Sequence, residues 1–134
     1  MGSNASATIK HASLDGGRVL AVLLAEDEPM ISASISDDLE EAGYRIAGPF
    51  RREADALAWL EGNRADLAVL DLVLRDGLCT ALAERLRRDG IPFLIFSGYF
   101  RGPDLPAVFR GAPWIEKPGG FEQILAKLEE LARG

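Results

Sequence analysis

The stretch that decides the fold is Val19-Leu20-Ala21-Val22-Leu23-Leu24-Ala25-Glu26-Asp27-Glu28-Pro29. Seven apolar residues without a polar member read as a strand covered on both faces, as in a parallel sheet. The run stops abruptly at three carboxylates. Pro29 then suits the first turn of a helix, where its missing N–H would be unpaired anyway. Ile31, Ile35 and Leu39 follow at helical spacing until Gly43 ends the helix. The order is therefore strand, acidic loop, helix.

Working outward, the same grammar repeats. Residues 44–47 predict a second strand, and 53–61 a helix around Leu57 and Leu60, stopped by Gly62 and Asn63. Leu67–Leu70 is a third buried strand closed by Asp71. Asp76-Gly77 is a turn, with Leu78, Leu82 and Leu86 on one face of the next helix and Asp89-Gly90 at its end. Residues 93–96 form a fourth strand before Ser97-Gly98, and Trp114–Glu116 a short fifth. Between them, 99–113 holds Gly102, Pro103, Pro106, Gly111 and Pro113, so a loop with at most one helical turn is expected. Phe121, Ile124, Leu125, Leu128 and Leu131 make the last helix.

Alternating strands and helices with right-handed crossovers predict an α/β, flavodoxin-like, doubly wound five-stranded parallel sheet of order 2-1-3-4-5, with an irregular or missing fourth helix. In that order the first and third strands are neighbours at the switch point. Glu26, Asp27 and Asp71 then converge at the carboxyl edge of the sheet, where ligands bind.

Composition bounds the function. The 134 residues suit one domain, expected over 18–134 after a loose tail at 1–17 that includes His11. Met-Gly-Ser-Asn-Ala at the start reads partly as an expression-vector remnant. Fifteen Lys and Arg against 21 Asp and Glu give a net charge of −6, which disfavours direct nucleic-acid binding and anionic membranes. No apolar stretch approaches the roughly 18 residues of a membrane span. One cysteine, Cys79, excludes an intrachain disulfide, and with one histidine it cannot build a zinc site. A reducing, cytoplasmic setting is expected.

Three carboxylates at one rim repel, by roughly 4 kcal/mol for a pair about 4 Å apart at an effective dielectric of 20, and call for a cation or a proton. Oxygen-only ligation selects a hard ion such as Mg2+, which also takes phosphate oxygens. A carboxylate there can attack phosphorus, with Lys117 and Ser97 at neighbouring strand ends to hold the transferred oxygens. Neither phosphate-binding glycine motif of nucleotide sites is present after a strand.

These residues resemble the response regulator receiver domain of two-component signalling, over nearly the whole chain from Arg18 to Ala132. The resemblance rests on Leu24-Ala25-Glu26-Asp27-Glu28-Pro29, Leu70-Asp71-Leu72, Phe96-Ser97-Gly98 and Glu116-Lys117-Pro118, four strand ends in order. It implies that Asp71 accepts a phosphoryl group from a phosphohistidine on a sensor histidine kinase or histidine phosphotransfer protein. It implies Mg2+ held by Glu26, Asp27, Asp71 and the backbone carbonyl of Val73. Ser97 and Lys117 would bind phosphoryl oxygens, Gly98 would leave room, and Lys117–Pro118 would be cis. Ser97 and Trp114 occupy the family's switch positions.

Departures are Glu26 for a commoner Asp, Arg75 where Pro is frequent, and Cys79 where Gly is frequent, the last two expected outside the metal site. The unusual 99–113 segment points to an atypical output face, with Tyr99 placed to gate Asp71. The expectation is a stand-alone receiver that signals by protein contact with a downstream target or by phosphorelay. It would promote only its own phosphorylation and dephosphorylation, with a homodimer possible. The alternative is a phosphorylation-independent interaction module of the same fold. An aspartyl phosphatase of related fold is set aside, since position 73 is Val and the Asp-x-Asp pattern is absent.

Overall fold

The structure is a computed structural model and describes residues 14–15, 17–99 and 102–134. Five parallel strands, β1 (Ala21–Ala25), β2 (Arg45–Phe50), β3 (Leu67–Leu70), β4 (Phe93–Ser97) and β5 (Trp114–Glu116), lie in the order β2-β1-β3-β4-β5, as the sequence predicts. Four helices connect or follow them: α1 (Pro29–Glu41), α2 (Glu53–Leu60), α3 (Thr80–Arg88) and α4 (Phe121–Ala132).

Strand alternation divides the apolar side chains into two cores. Leu23, Ala25, Leu70 and Ile95 face α2 and α3, burying Ala56, Leu60, Leu82 and Leu86. Val22, Leu24, Val69, Leu94 and Phe96 face the other way, against Ile35 and Leu39 of α1 and Ile124 and Leu128 of α4. Every residue of β1, β3 and β4 is buried, which explains why these strands read as unbroken apolar runs. Burying one such Leu contributes about 2 kcal/mol, so truncating Leu24 or Leu70 to Ala would remove a large part of a typical domain's stability. No helix among the described residues is long and apolar enough to cross a membrane.

Helix α1 begins on Pro29 and closes with a paired C-terminal motif: Gly43 N–H donates to Glu40 O at 2.9 Å and Tyr44 N–H to Leu39 O at 3.0 Å. Two boundaries differ from the sequence reading. The second strand starts one residue later than 44 and runs past 47 to Phe50, through Gly48 and Pro49. At Gly48 φ is +104° and an added Cβ would lie 2.8 Å from Leu24 O, so glycine is required there. The extra residue is a bulge, with Ala47 opposite Leu23 but Phe50 opposite Ala25. An edge strand tolerates Pro49 because one side of its backbone has no ladder to feed.

The third helix starts at Thr80, not at Leu78. Leu78 instead sits in a two-residue antiparallel ladder, Val73–Leu74 against Gly77–Leu78, and is 38% exposed. Near the start of the chain, Leu14–Asp15 pairs antiparallel with Arg18–Val19; the rest of the tail expected over 1–17, His11 included, lies outside the described residues apart from the turn at Gly17.

Among its described residues, the segment before β5 carries a 3-10 turn, Ala107–Phe109, in place of a fourth crossover helix. It is fastened from α3: Arg87 donates to Val108 O and Arg110 O, both at 2.9 Å, and stacks over Phe93 at 5.0 Å. Phe109 is its buried anchor.

Candidate functional site

Parallel pairing brings four strand ends to one edge. Asp71 N–H donates to Ala25 O at 2.8 Å, placing the residue after β3 beside the residue after β1, and Lys117 N–H donates to Ser97 O at 3.0 Å, aligning the ends of β4 and β5. The Lys117–Pro118 bond is cis, as the family resemblance implies, and so is Gly48–Pro49.

Lys117 reaches back across the edge. Its Nζ lies 2.9 Å from Glu26 Oε1, 3.1 Å from Asp71 Oδ2 and 3.9 Å from Glu28 Oε2, with the ring of Phe96 beneath it at 5.5 Å. The side chains are only 11% (Lys117), 1% (Glu26) and 9% (Asp71) exposed, so this is a charge cluster with little water. Burial pushes the Glu26 carboxyl up to about 7, the charge of Asp71 adds to this, and hydrogen bonds from Glu28 N–H and Lys117 pull against it. For Lys117, desolvation favours loss of the proton, but the two carboxylates outweigh it and hold the ammonium above its usual range.

Asp27 faces a different cation. Its Oδ1 accepts from Arg75 Nε at 3.0 Å, in a pair whose side chains are 36% and 48% exposed. The sequence reading placed Arg75 outside the site; the structure places its guanidinium on one of the site's carboxylates. The long side chain spans what residue spacing alone leaves open.

Ser97 is fully buried, and its Oγ accepts from Tyr99 N–H at 3.2 Å. The Tyr99 side chain is exposed, and the space where a Cβ on Gly98 would sit is open. Trp114, opposite Ile95, is half-buried and packs against the α2/α3 core. Val73 follows Asp71 closely and is half-buried in its short ladder. Cys79, the lone cysteine, is buried at the N-cap of α3, and its Sγ donates to Asp71 O at 3.3 Å. Burial pushes that thiol up to about 12, with the nearby charges of Glu53 and Asp71 adding to the effect, so it is inert as a nucleophile.

Two further residues hold the site's frame, and the sequence reading missed both. Asp76 caps α2 from outside that helix, accepting from Glu53 N–H at 2.7 Å and Ala54 N–H at 3.1 Å. Desolvation works against its ionisation, but these bonds and the Arg52 charge bring the carboxyl below its usual range. Glu53 in turn caps α3, its Oε2 accepting from Leu82 N–H at 2.8 Å. Asp76 was legible only as half of an Asp-Gly turn, because its partners lie more than twenty residues away.

Among the described residues, no three His, Cys, Asp or Glu side chains converge as a metal-holding group. Lys117 stands between Glu26 and Asp71, and Arg75 holds Asp27, so two internal cations answer most of the repulsion expected of the three carboxylates. The donor set still fits a hard cation, since Glu26, Asp27, Asp71 and the Val73 carbonyl offer only oxygen. Asp27 is the most accessible of the carboxylates, and an exposed pair such as Asp27–Arg75 is worth only about 0–1 kcal/mol to break.

Comparison with known proteins bears on this arrangement. The model of the response regulator receiver domain matches residues 22–129. The probable transcriptional regulatory protein TcrX of Mycobacterium tuberculosis is 28% identical over 123 residues, covering 87% of this chain and 51% of TcrX, so the chain spans about half the length of that relative. Among solved structures, the non-phosphorylated receiver domain of HemR from Leptospira biflexa superposes with a TM-score of 0.73 at 29% identity, over 84% of this chain and 94% of that one. The solution structure of SdrG from Sphingomonas melonis is 34% identical with a TM-score of 0.67, over 81% of this chain and 95% of that one.

Proposed function

Since the chain belongs to the response regulator receiver domain family of two-component signalling, we propose that Asp71 is its phosphoacceptor, in a Mg2+-dependent transfer from a histidine kinase or histidine phosphotransfer protein. The observation that carries this reading is the position of Asp71: at the end of the central strand β3, 9% exposed, with the Lys117 ammonium 3.1 Å from its Oδ2 and buried Glu26 on the other side of that ammonium. A carboxylate so placed can attack the phosphorus of a phosphohistidine. The carboxylate O–P bond forms, the N–P bond breaks, and imidazole leaves as the electron pair returns to its nitrogen.

Lys117 then exchanges a contact with the ionised carboxylate for one with a phosphoryl oxygen, and the Ser97 hydroxyl, at the end of β4, serves as a second donor. Held by Glu26, Asp27, Asp71 and the Val73 carbonyl, Mg2+ would neutralise charge developing on the transferred group. Output follows from the new charge at Asp71, which draws Lys117 and Ser97 and so loads the ends of β4 and β5, where Trp114 is packed. The reaction changes only the domain's own phosphorylation state, and its product acts by contact with a kinase, a phosphotransfer protein or a downstream protein target.

The test is intact mass after incubation with acetyl phosphate, with and without Mg2+, and in parallel with a phosphorylated histidine kinase. One Mg2+-dependent phosphoryl adduct on the wild type, absent from Asp71→Asn, is expected. An adduct that persists in Asp71→Asn overturns the assignment. Absence of any adduct from either donor favours a phosphorylation-independent interaction module, in which the Lys117 and Arg75 ion pairs are the permanent state of the site.

A further inference from the structure

Arg75 is not accounted for by the phosphoacceptor reading, yet its guanidinium sits on Asp27, 3.0 Å from Oδ1. The turn that carries it has little freedom. Arg75 N–H donates to Arg51 O at 2.9 Å, tying the turn to the chain just after β2. The next residue, Asp76, is fixed by two hydrogen bonds to the start of α2. On either side, Val73–Leu74 and Gly77–Leu78 close the base of the turn as a ladder. The backbone is therefore anchored from three directions, which fixes the point from which the half-exposed Arg75 side chain reaches Asp27.

Resting on the Mg2+-dependent reading above, we propose that Arg75 is a built-in competitor of the divalent cation: it occupies Asp27 in the metal-free domain and must let go before the site fills. Asp27 cannot give the same oxygen fully to both cations. A guanidinium that remains nearby also repels the incoming ion. Arg75 therefore raises the Mg2+ concentration at which the domain becomes competent, acting as a positioning residue on Asp27 without touching the reacting atoms. Glu26 and Asp71 have Lys117 as their counter-ion, so removing Arg75 frees one carboxylate and leaves the rest of the cluster intact.

The experiment is calorimetric titration of the whole chain with MgCl2 at low ionic strength, for wild type, Arg75→Ala, Arg75→Lys and the near-isosteric Arg75→Gln, with metal-free urea denaturation of each as a fold control. Breaking an exposed ion pair corresponds to a factor of up to about five in an equilibrium. Arg75→Ala and Arg75→Gln should bind Mg2+ about fivefold more tightly, while Arg75→Lys, which keeps the charge without the planar fork, falls between them and the wild type. Unchanged or weaker Mg2+ affinity in folded Arg75→Gln overturns the competitor role and leaves the phosphoacceptor reading standing. If neither wild type nor any variant binds Mg2+ at millimolar concentration, the Mg2+-dependent reading itself falls, and this inference with it.

Discussion

Replacing Lys117 with Met keeps most of the side-chain stem and removes the one charge that buried Glu26 and Asp71 share. Removing one partner of a buried pair typically costs about 3–5 kcal/mol. Here Glu26 has an escape, because its carboxyl is already raised from 4.5 to about 7 and can take a proton instead of remaining an uncompensated anion. In the wild type the native state keeps a proton that the unfolded chain loses between those two values. The contribution of Glu26 to stability is therefore full below about pH 4.5, falls as pH rises toward 7, and levels off above, a change of about 3 kcal/mol.

Without Lys117 the native Glu26 holds its proton to still higher pH, so stability continues to fall by about 1.4 kcal/mol per pH unit above 7. The deficit of Lys117→Met should then be smallest near pH 5, where Glu26 is protonated in both native proteins, and grow by about 1 kcal/mol between pH 7 and pH 8. Urea denaturation followed by circular dichroism at pH 5, 6, 7 and 8, in EDTA, measures it. A deficit constant between pH 6 and 8, or no deficit at pH 8, would refute the idea that Lys117 is what keeps Glu26 ionisable.

Asp76→Ala should destabilise the domain by about 1–2 kcal/mol, read as a lower urea midpoint with unchanged slope, because two N–H groups at the start of α2 lose their acceptor; Asp76→Asn should recover much of that loss. Gly120→Ala should cost about 1–3 kcal/mol by the same assay, since φ is +87° and the new Cβ would meet Ile115 Cγ2 at 2.7 Å. Stability within about 0.5 kcal/mol of wild type would show that the turn before α4 gives way easily.

The strand ends were legible because a parallel sheet writes itself as apolar runs terminated by polar residues, and Glu26, Asp71 and Ser97 each follow or close such a run, while Lys117 follows the short strand Trp114–Glu116. Their convergence then follows from strand order. The irregular 99–113 segment was legible for the opposite reason, since its prolines and glycines forbid a full helix, and one 3-10 turn is what remains. Arg75 was illegible because an ion pair across 48 residues leaves no local pattern, and a long flexible side chain can end far from where its backbone suggests. Leu78 misled because it lies four residues before Leu82, at helical spacing, yet α3 begins only after Cys79 is tied to Asp71 and Leu72. The strand expected over 44–47 runs on to Phe50 in the structure, because the bulge at Gly48-Pro49 leaves no strand pattern in the sequence.

The exchange of caps between α2 and α3 has a consequence for how the domain opens. Asp76, in the turn leading to α3, closes the start of α2, and Glu53, the first residue of α2, closes the start of α3. Arg85 of α3 adds a clamp at the other end, donating to Leu60 O and Glu61. Fraying either helix from its N-terminus strips the other of an acceptor, so α2, α3 and the turn between Asp71 and Cys79 should exchange their amide protons together as a block, which hydrogen exchange would test. On the phosphoacceptor reading proposed above, a phosphoryl group added at Asp71 would act at the boundary of that block.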